Sequence, residues 1–139
     1  MAFVWNSARA QVLCGQGYRA EIWNPCPGVL ITRLRGFGSV ECCRFYTDRA
    51  ELEMHIGPLV VFHDWQEVQR YAPEARNHLK QWARIHNDAF GVCHYLIRSK
   101  ILTMVIAVAS LALGRDLIAT SERAKFEAAL QRSLAARQR

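Results

Sequence analysis

The residues of this 139-residue chain best placed to do chemistry stand at the ends of two apolar runs. His63, Asp64 and Trp65 close the run PLVVF, and Arg98, Ser99 and Lys100 follow the run VCHYLI one helical pattern later. In an open α/β sheet, ligands bind beyond the carboxyl ends of parallel strands, where crossovers diverge and helix N-termini present unpaired N–H groups. These six residues are therefore the expected ligand- or partner-binding edge. Arg98 and Lys100 beside a helix N-terminus suit an anionic group such as a phosphate or carboxylate, and Trp65 offers an apolar wall. A purely structural use of the same residues is the alternative: Asp64 paired with Arg98, Ser99 capping its helix, and Trp65 packed at the sheet edge.

Catalytic or metal chemistry finds less support. His78 and His86 share a helical pattern eight residues apart, too far to chelate jointly, while His63 and His94 fall on runs expected to be neighbouring strands. No HExxH or acid-rich cluster accompanies them. His63 and Asp64 cannot form part of a triad by adjacency, because consecutive strand residues point to opposite faces. There is no G-x-S-x-G, no P-loop and no dinucleotide fingerprint after a strand; GFGS at 36–39 lacks the rest of any phosphate-binding motif. No catalytic residue, metal ligand or cofactor is expected, and the chain reads as a non-enzyme.

The five cysteines are Cys14, Cys26, Cys42, Cys43 and Cys93. Their number is odd, no pair is spaced C-x-x-C, and Cys93 lies inside an apolar run, so neither a disulfide framework nor structural zinc is supported. A reducing cytoplasm is the expected location. Adjacent Cys42 and Cys43 show no resolving spacing or basic motif that would mark a redox pair, and helical spacing turns one of them to the core.

Half of the chain is apolar and 22% is charged, which fits one soluble domain over 1–139, with a lead-in at 1–9 and a basic tail at 135–139. The net charge is +6, and Arg132, Arg137 and Arg139 near the end account for much of the excess. That pattern reads as a solvated tail rather than a nucleic-acid surface. The opening MAFVWNSARA lacks the basic start and long apolar stretch of a secretory signal. The most apolar segment, 101–113, has 13 residues and is too short for a membrane span.

These residues must be positioned by a simple succession of elements. Short strands at 10–14, 18–23 and 29–34, separated by Gly15-Gln16-Gly17 and Asn24-Pro25-Cys26-Pro27-Gly28, form an antiparallel meander. Gly36-Phe37-Gly38 breaks the third strand, and Ser39 caps a helix running to about residue 55. The run at 58–65 is a strand buried on both faces and the centre of the sheet. An amphipathic helix at 73–86, with Ala75, Leu79, Trp82, Ala83 and His86 at helical spacing and Glu74, Arg76, Lys80, Gln81 and Arg84 on the other faces, leads to a second parallel strand at 92–97. Ser99 caps a helix at 100–113, apolar nearly all round and so either deeply buried or covering a partner. Gly114 ends it, a short strand at 116–119 follows, and Phe126, Leu130 and Leu134 stripe the last helix.

With this order of elements, and HDW after the central strand, the chain resembles the SpoIIAA-like branch of the STAS family from about residue 10 to 134. The resemblance implies an α/β, SpoIIAA-like mixed sheet: an antiparallel N-terminal meander and parallel central strands flanked by helices. It also implies a relation in shape to Sec14-like lipid-binding domains. Well-known members carry a phosphorylatable serine just after an aspartate at the end of the central strand. Here Asp64 matches the aspartate, but Trp65, Gln66 and Glu67 follow, and no Ser or Thr occurs between Thr47 and Ser99. A phosphoserine switch cannot operate at that position. The expected function is a non-enzymatic protein-interaction or signalling module that binds a protein partner or forms a homodimer, through the 100–113 helix or the edge at Asp64 and Trp65. The alternative is a carrier of a small apolar or acyl ligand, with a hollow lined by Trp82, Val105, Val108 or their neighbours; a hydrolase or transferase ranks third.

Overall fold

The computed structural model describes residues 10–54, 57–114 and 116–137; the lead-in at 1–9 and the last two residues of the tail lie outside the described residues. Three strands open the chain, β1 (Gln11–Gly15), β2 (Tyr18–Cys26) and β3 (Val29–Gly38). Gly17 and Gly28, at φ 80° and 86°, make the two turns between them. Then follow α1 (Val40–Glu53), β4 (Leu59–Tyr71), α2 (Pro73–Ile85), β5 (Phe90–Leu96), α3 (Lys100–Leu113), β6 (Leu117–Thr120) and α4 (Arg123–Arg137). They build one six-stranded sheet in chain order, β1-β2-β3-β4-β5-β6. Pairing is antiparallel from β1 to β3 and parallel from β3 to β6. This is the α/β mixed sheet that the order of elements implies.

Helix boundaries follow local signals. The Ser39 hydroxyl accepts from the Cys42 N–H at 3.2 Å, and the Ser99 hydroxyl does the same for Leu102 at 3.2 Å. Pro73 occupies the first turn of α2, where no backbone donor is missed. Gly114 closes α3 in the left-handed region at φ 65°.

Right-handed crossovers that step along a sheet in one direction leave their helices on one face. Accordingly α1, α2 and α3 share a face, and α4, which returns after β6, covers the other. Alternation along β4 separates the two cores. Leu59 and Val61 join Ile22, Leu30, Cys42 and Tyr46 beneath α1. Phe62 joins Val29, Ile31 and Leu96 against Phe126 and Leu130 of α4. Each such side chain fully buried contributes roughly 1.5–3 kcal/mol.

Four elements differ from expectation. β2 runs past Trp23 to Cys26 through a shift of register, so the expected turn at 24–28 shortens to Pro27-Gly28. β3 does not break at Gly36 but continues to Gly38 through a bulge at Gly36/Phe37. Gly36 has φ 88°, and a side chain there would collide with the Gly17 carbonyl, so the bulge needs glycine. β4 likewise runs past Trp65 to Tyr71, its second half pairing with Arg35–Gly38. The apolar run ends at residue 62, but Gln66, Val68 and Gln69 to Tyr71 continue as a half-exposed strand that hydrophobicity alone does not mark. Asp64 consequently stands inside a strand, well short of the next helix. Finally, α3 is not deeply buried. It leans over β6, and Ile101, Met104, Val108 and Leu111 are 72%, 69%, 66% and 85% exposed.

Candidate functional site

Successive crossovers advance by one strand, about 4.8 Å, whereas packed helices need about 8–10 Å between axes. Three helices over four parallel strands must therefore fan apart. In this chain α1 packs on α2 and leans toward β2 and β3, while α3 leans the other way onto β6. The gap opens between α2 and α3, where Ala75, Ala83, Ala109 and Ala112 are too small to close it. What remains is a cavity of about 580 Å³.

Its floor is Trp65, Val68, Tyr95 and Ile97 from β4 and the β5 end; Leu79 and Ala83 of α2 face Leu102, Val105 and Ile106 of α3. Arg76, Lys80 and Arg84 stand along its α2 rim, all exposed. Val105 and Val108 line this hollow, while Trp82 lines a smaller adjoining one of about 80 Å³. Hydrogen bonds join α1 to α2 beside that smaller space: Trp82 Nε1 donates to Glu51 at 2.8 Å, and Thr47 Oγ1 lies 3.1 Å from His78 Nε2.

The inner end of the floor is an aromatic cluster. The His63 ring lies 4.4 Å from Trp65 and 4.8 Å from Tyr95 between centroids, and Tyr46 stacks on Trp65 at 6.3 Å. The fully buried Thr32 hydroxyl is 2.7 Å from His63 Nδ1, which fixes the ring. Tyr46 donates to the Arg33 carbonyl at 3.0 Å, and burial pushes its phenol pKa well up. Burial likewise pushes the Cys43 thiol up to about 12, with buried Cys42 adding to it, so Cys43 is a thiol and not a nucleophilic thiolate at neutral pH. Both adjacent cysteines are buried, not one alone.

Asp64 faces the other way. Arg123, the first residue of α4, grips it with two bonds of 3.2 Å while also donating to Gln66 Oε1 at 2.8 Å. Arg33 Nε lies 3.5 Å from the same carboxylate. Partial burial opposes the charge of Arg123, but Asp64 and Glu127 outweigh it and raise its pKa. The partners of Asp64 are thus Arg33 and Arg123, not Arg98, which is exposed beyond the end of β5.

The six residues at the expected edge do not form one cluster. His63 and Trp65 belong to the hollow's face, Asp64 clamps α4 on the opposite face, Ser99 caps α3, and Arg98 and Lys100 are exposed at that helix's entry. His63 and His94 are also on opposite faces: His94 stacks flat on Phe62 at 4.5 Å in the α4 core. Among the described residues no group of three or more His, Cys, Asp or Glu is placed to hold a metal ion. The rim cations are the feature that a reading of α2 alone treats as a solvated face. Their spacing of one turn each is visible in the sequence; the hollow is expected only from the resemblance in shape to Sec14-like domains, and without these cations at its rim.

The topology is that of a SpoIIAA-like fold. A solved structure of an uncharacterized protein of the DUF3478 family with a SpoIIAA-like fold, from Shewanella loihica PV-4, is similar to this chain with a TM-score of 0.62. The two are 14% identical, and the match covers 78% of this chain and 90% of that one. No family model matches the sequence, and no curated protein matches it. Among the described residues no helix is long and apolar enough to cross a membrane.

Proposed function

We propose that this chain is a non-enzymatic binding module that takes up a small apolar or acyl ligand between α2 and α3. The observation that carries the proposal is the hollow: about 580 Å³, walled by apolar side chains on an otherwise well-packed sheet. Sites for small ligands have volumes of roughly 300–1,000 Å³ and mostly apolar linings. Among the described residues lining it there is no histidine or carboxylate, and the nearby His63 is held by Thr32 and enclosed by aromatic rings. Native mass spectrometry of protein purified from its own host, compared with the denatured mass, tests the idea. An added mass lost on denaturation is expected; a bare mass that stays bare after incubation with acyl compounds would sink it.

The outer face of α3 favours a second reading, a module that acts through protein contact or as a homodimer. Ile101, Met104, Val108 and Leu111 recur at i, i+3, i+7 and i+10 and form an apolar stripe open to solvent. Such a stripe is the usual form of a helix that docks on a partner. Arg98, Ser99 and Lys100 at the entry of this helix would border that contact, while Trp65 lies on the floor of the hollow behind it. Replacing Met104 and Leu111 by Glu should leave a dimer in pieces by light scattering, and an unchanged monomer mass before and after would remove the homodimer. A reducing, cytoplasmic setting suits either reading, because the five cysteines form no disulfide.

A further inference from the structure

We infer that the ligand of the hollow is a single-chain anionic amphiphile, a long-chain fatty acid, with its chain between α2 and α3 and its carboxylate at Arg76, Lys80 and Arg84. The inference rests on the ligand-binding reading above and specifies its chemistry. Among the described residues, the side chains lining the cavity include these three cations and not one carboxylate. The cations stand at i, i+4 and i+8 on α2, so they form one row along the rim, spaced about 5–6 Å apart. Among the described residues none of the three has an ion-pair partner, although other arginines of the chain, such as Arg33, Arg35, Arg49 and Arg123, are paired with acids. A row of like charges on a helix face is unfavourable for the helix itself. It becomes favourable when an anion sits beside it.

The hollow alone would accept any apolar molecule of suitable size. The rim selects among them. An ionised head cannot enter an apolar space without a large desolvation cost, so it must stay at the mouth, where the arginine and lysine heads reach water while their stems cover the cavity edge. A row of three lets a carboxylate be met at more than one depth, so chains of somewhat different length would be accepted.

Equilibrium dialysis of delipidated protein against radiolabelled palmitate and, separately, hexadecanol tests the inference. The two probes share a chain and differ in the charge of the head. The wild type is compared with the triple variant Arg76→Gln, Lys80→Gln, Arg84→Gln, whose changes lie on an exposed helix face, and with Ala109→Phe, which fills the cavity. Palmitate should bind more tightly than hexadecanol. The triple variant should lose about tenfold for palmitate, with each exposed charge worth up to about fivefold, and little for hexadecanol; added salt should mimic that loss. Ala109→Phe should weaken both probes. Equal binding of the two probes, or an unaffected triple variant, would overturn the anionic assignment and leave the hollow as a general apolar site. Binding of neither probe would overturn both.

Discussion

The two faces of the sheet are covered in opposite ways. On one, α4 alone lies against the parallel strands, and Phe62, Leu96, Phe126 and Leu130 are buried together beneath it. On the other, three helices tied to successive strands fan apart and leave a cavity of about 580 Å³. The difference comes from connectivity. A helix that does not cross between two neighbouring strands of the sheet can settle where its side chains fit best, whereas a crossover helix is held to the strand spacing at both ends, and that spacing is about half of what helices need. The charged groups differ accordingly. Asp64 on the closed face pairs with Arg33 and with Arg123 of α4, while among the described residues Arg76, Lys80 and Arg84 on the open face have no ion-pair partner.

The comparison breaks most severely at Phe62. Phe62→Ala removes a fully buried ring from the closed face and should cost about 4 kcal/mol in denaturant unfolding. Asp64→Asn comes next. It leaves Arg33 and Arg123 facing a neutral amide, but Arg123 is 41% exposed and can turn to water. The loss should therefore be about 2 kcal/mol, below the roughly 3–5 expected for a fully buried pair. If Asp64→Asn unfolds at the wild-type midpoint, the clamp on α4 is ornamental.

The same two faces explain what could be read before any coordinates. The strand at 58–65, the caps at Ser39 and Ser99, the stop at Gly114 and the α4 stripe Phe126, Leu130 were legible, because each is a local pattern of hydrophobicity or turn chemistry. The extension of β4 to Tyr71 was not, since half-exposed strand and loop have similar polarity. The partner of Asp64 was not either: Arg123 lies 59 residues away, and an ion pair leaves no trace in spacing. The hollow was inferred from an analogy of shape and was invisible in composition, because alanines that fail to fill a gap look the same as alanines that pack.

A matched pair of substitutions sharpens the contrast. Ala129 sits in the closed core and Ala109 on the wall of the hollow. Ala129→Phe overpacks and should destabilise by about 2 kcal/mol. Ala109→Phe has room, buries new apolar area, and should change stability by less than about 1 kcal/mol in either direction. Equal destabilisation by both would mean that the two faces are equally tight in solution.

The smallest effect expected is one of pH, and it belongs to the closed face. Burial, with Arg132 of α4 adding to it, lowers the His94 pKa below its ordinary 6.5. The unfolded chain therefore takes up this proton at a higher pH than the folded one does. Between the two pKa values the unfolded state binds more protons, so stability rises with pH there. The contribution is complete above about pH 6.5 and is lost as pH falls toward the folded value. His94→Phe keeps a ring against Phe62, which His94 meets at 4.5 Å, and removes the titration. Urea midpoints at about pH 7.5 and about pH 5.5 should then fall less in the variant than in the wild type. An identical fall in both would show that His94 is open enough to water to titrate alike in the folded and unfolded chain, and that the α4 face is not as closed as its packing indicates.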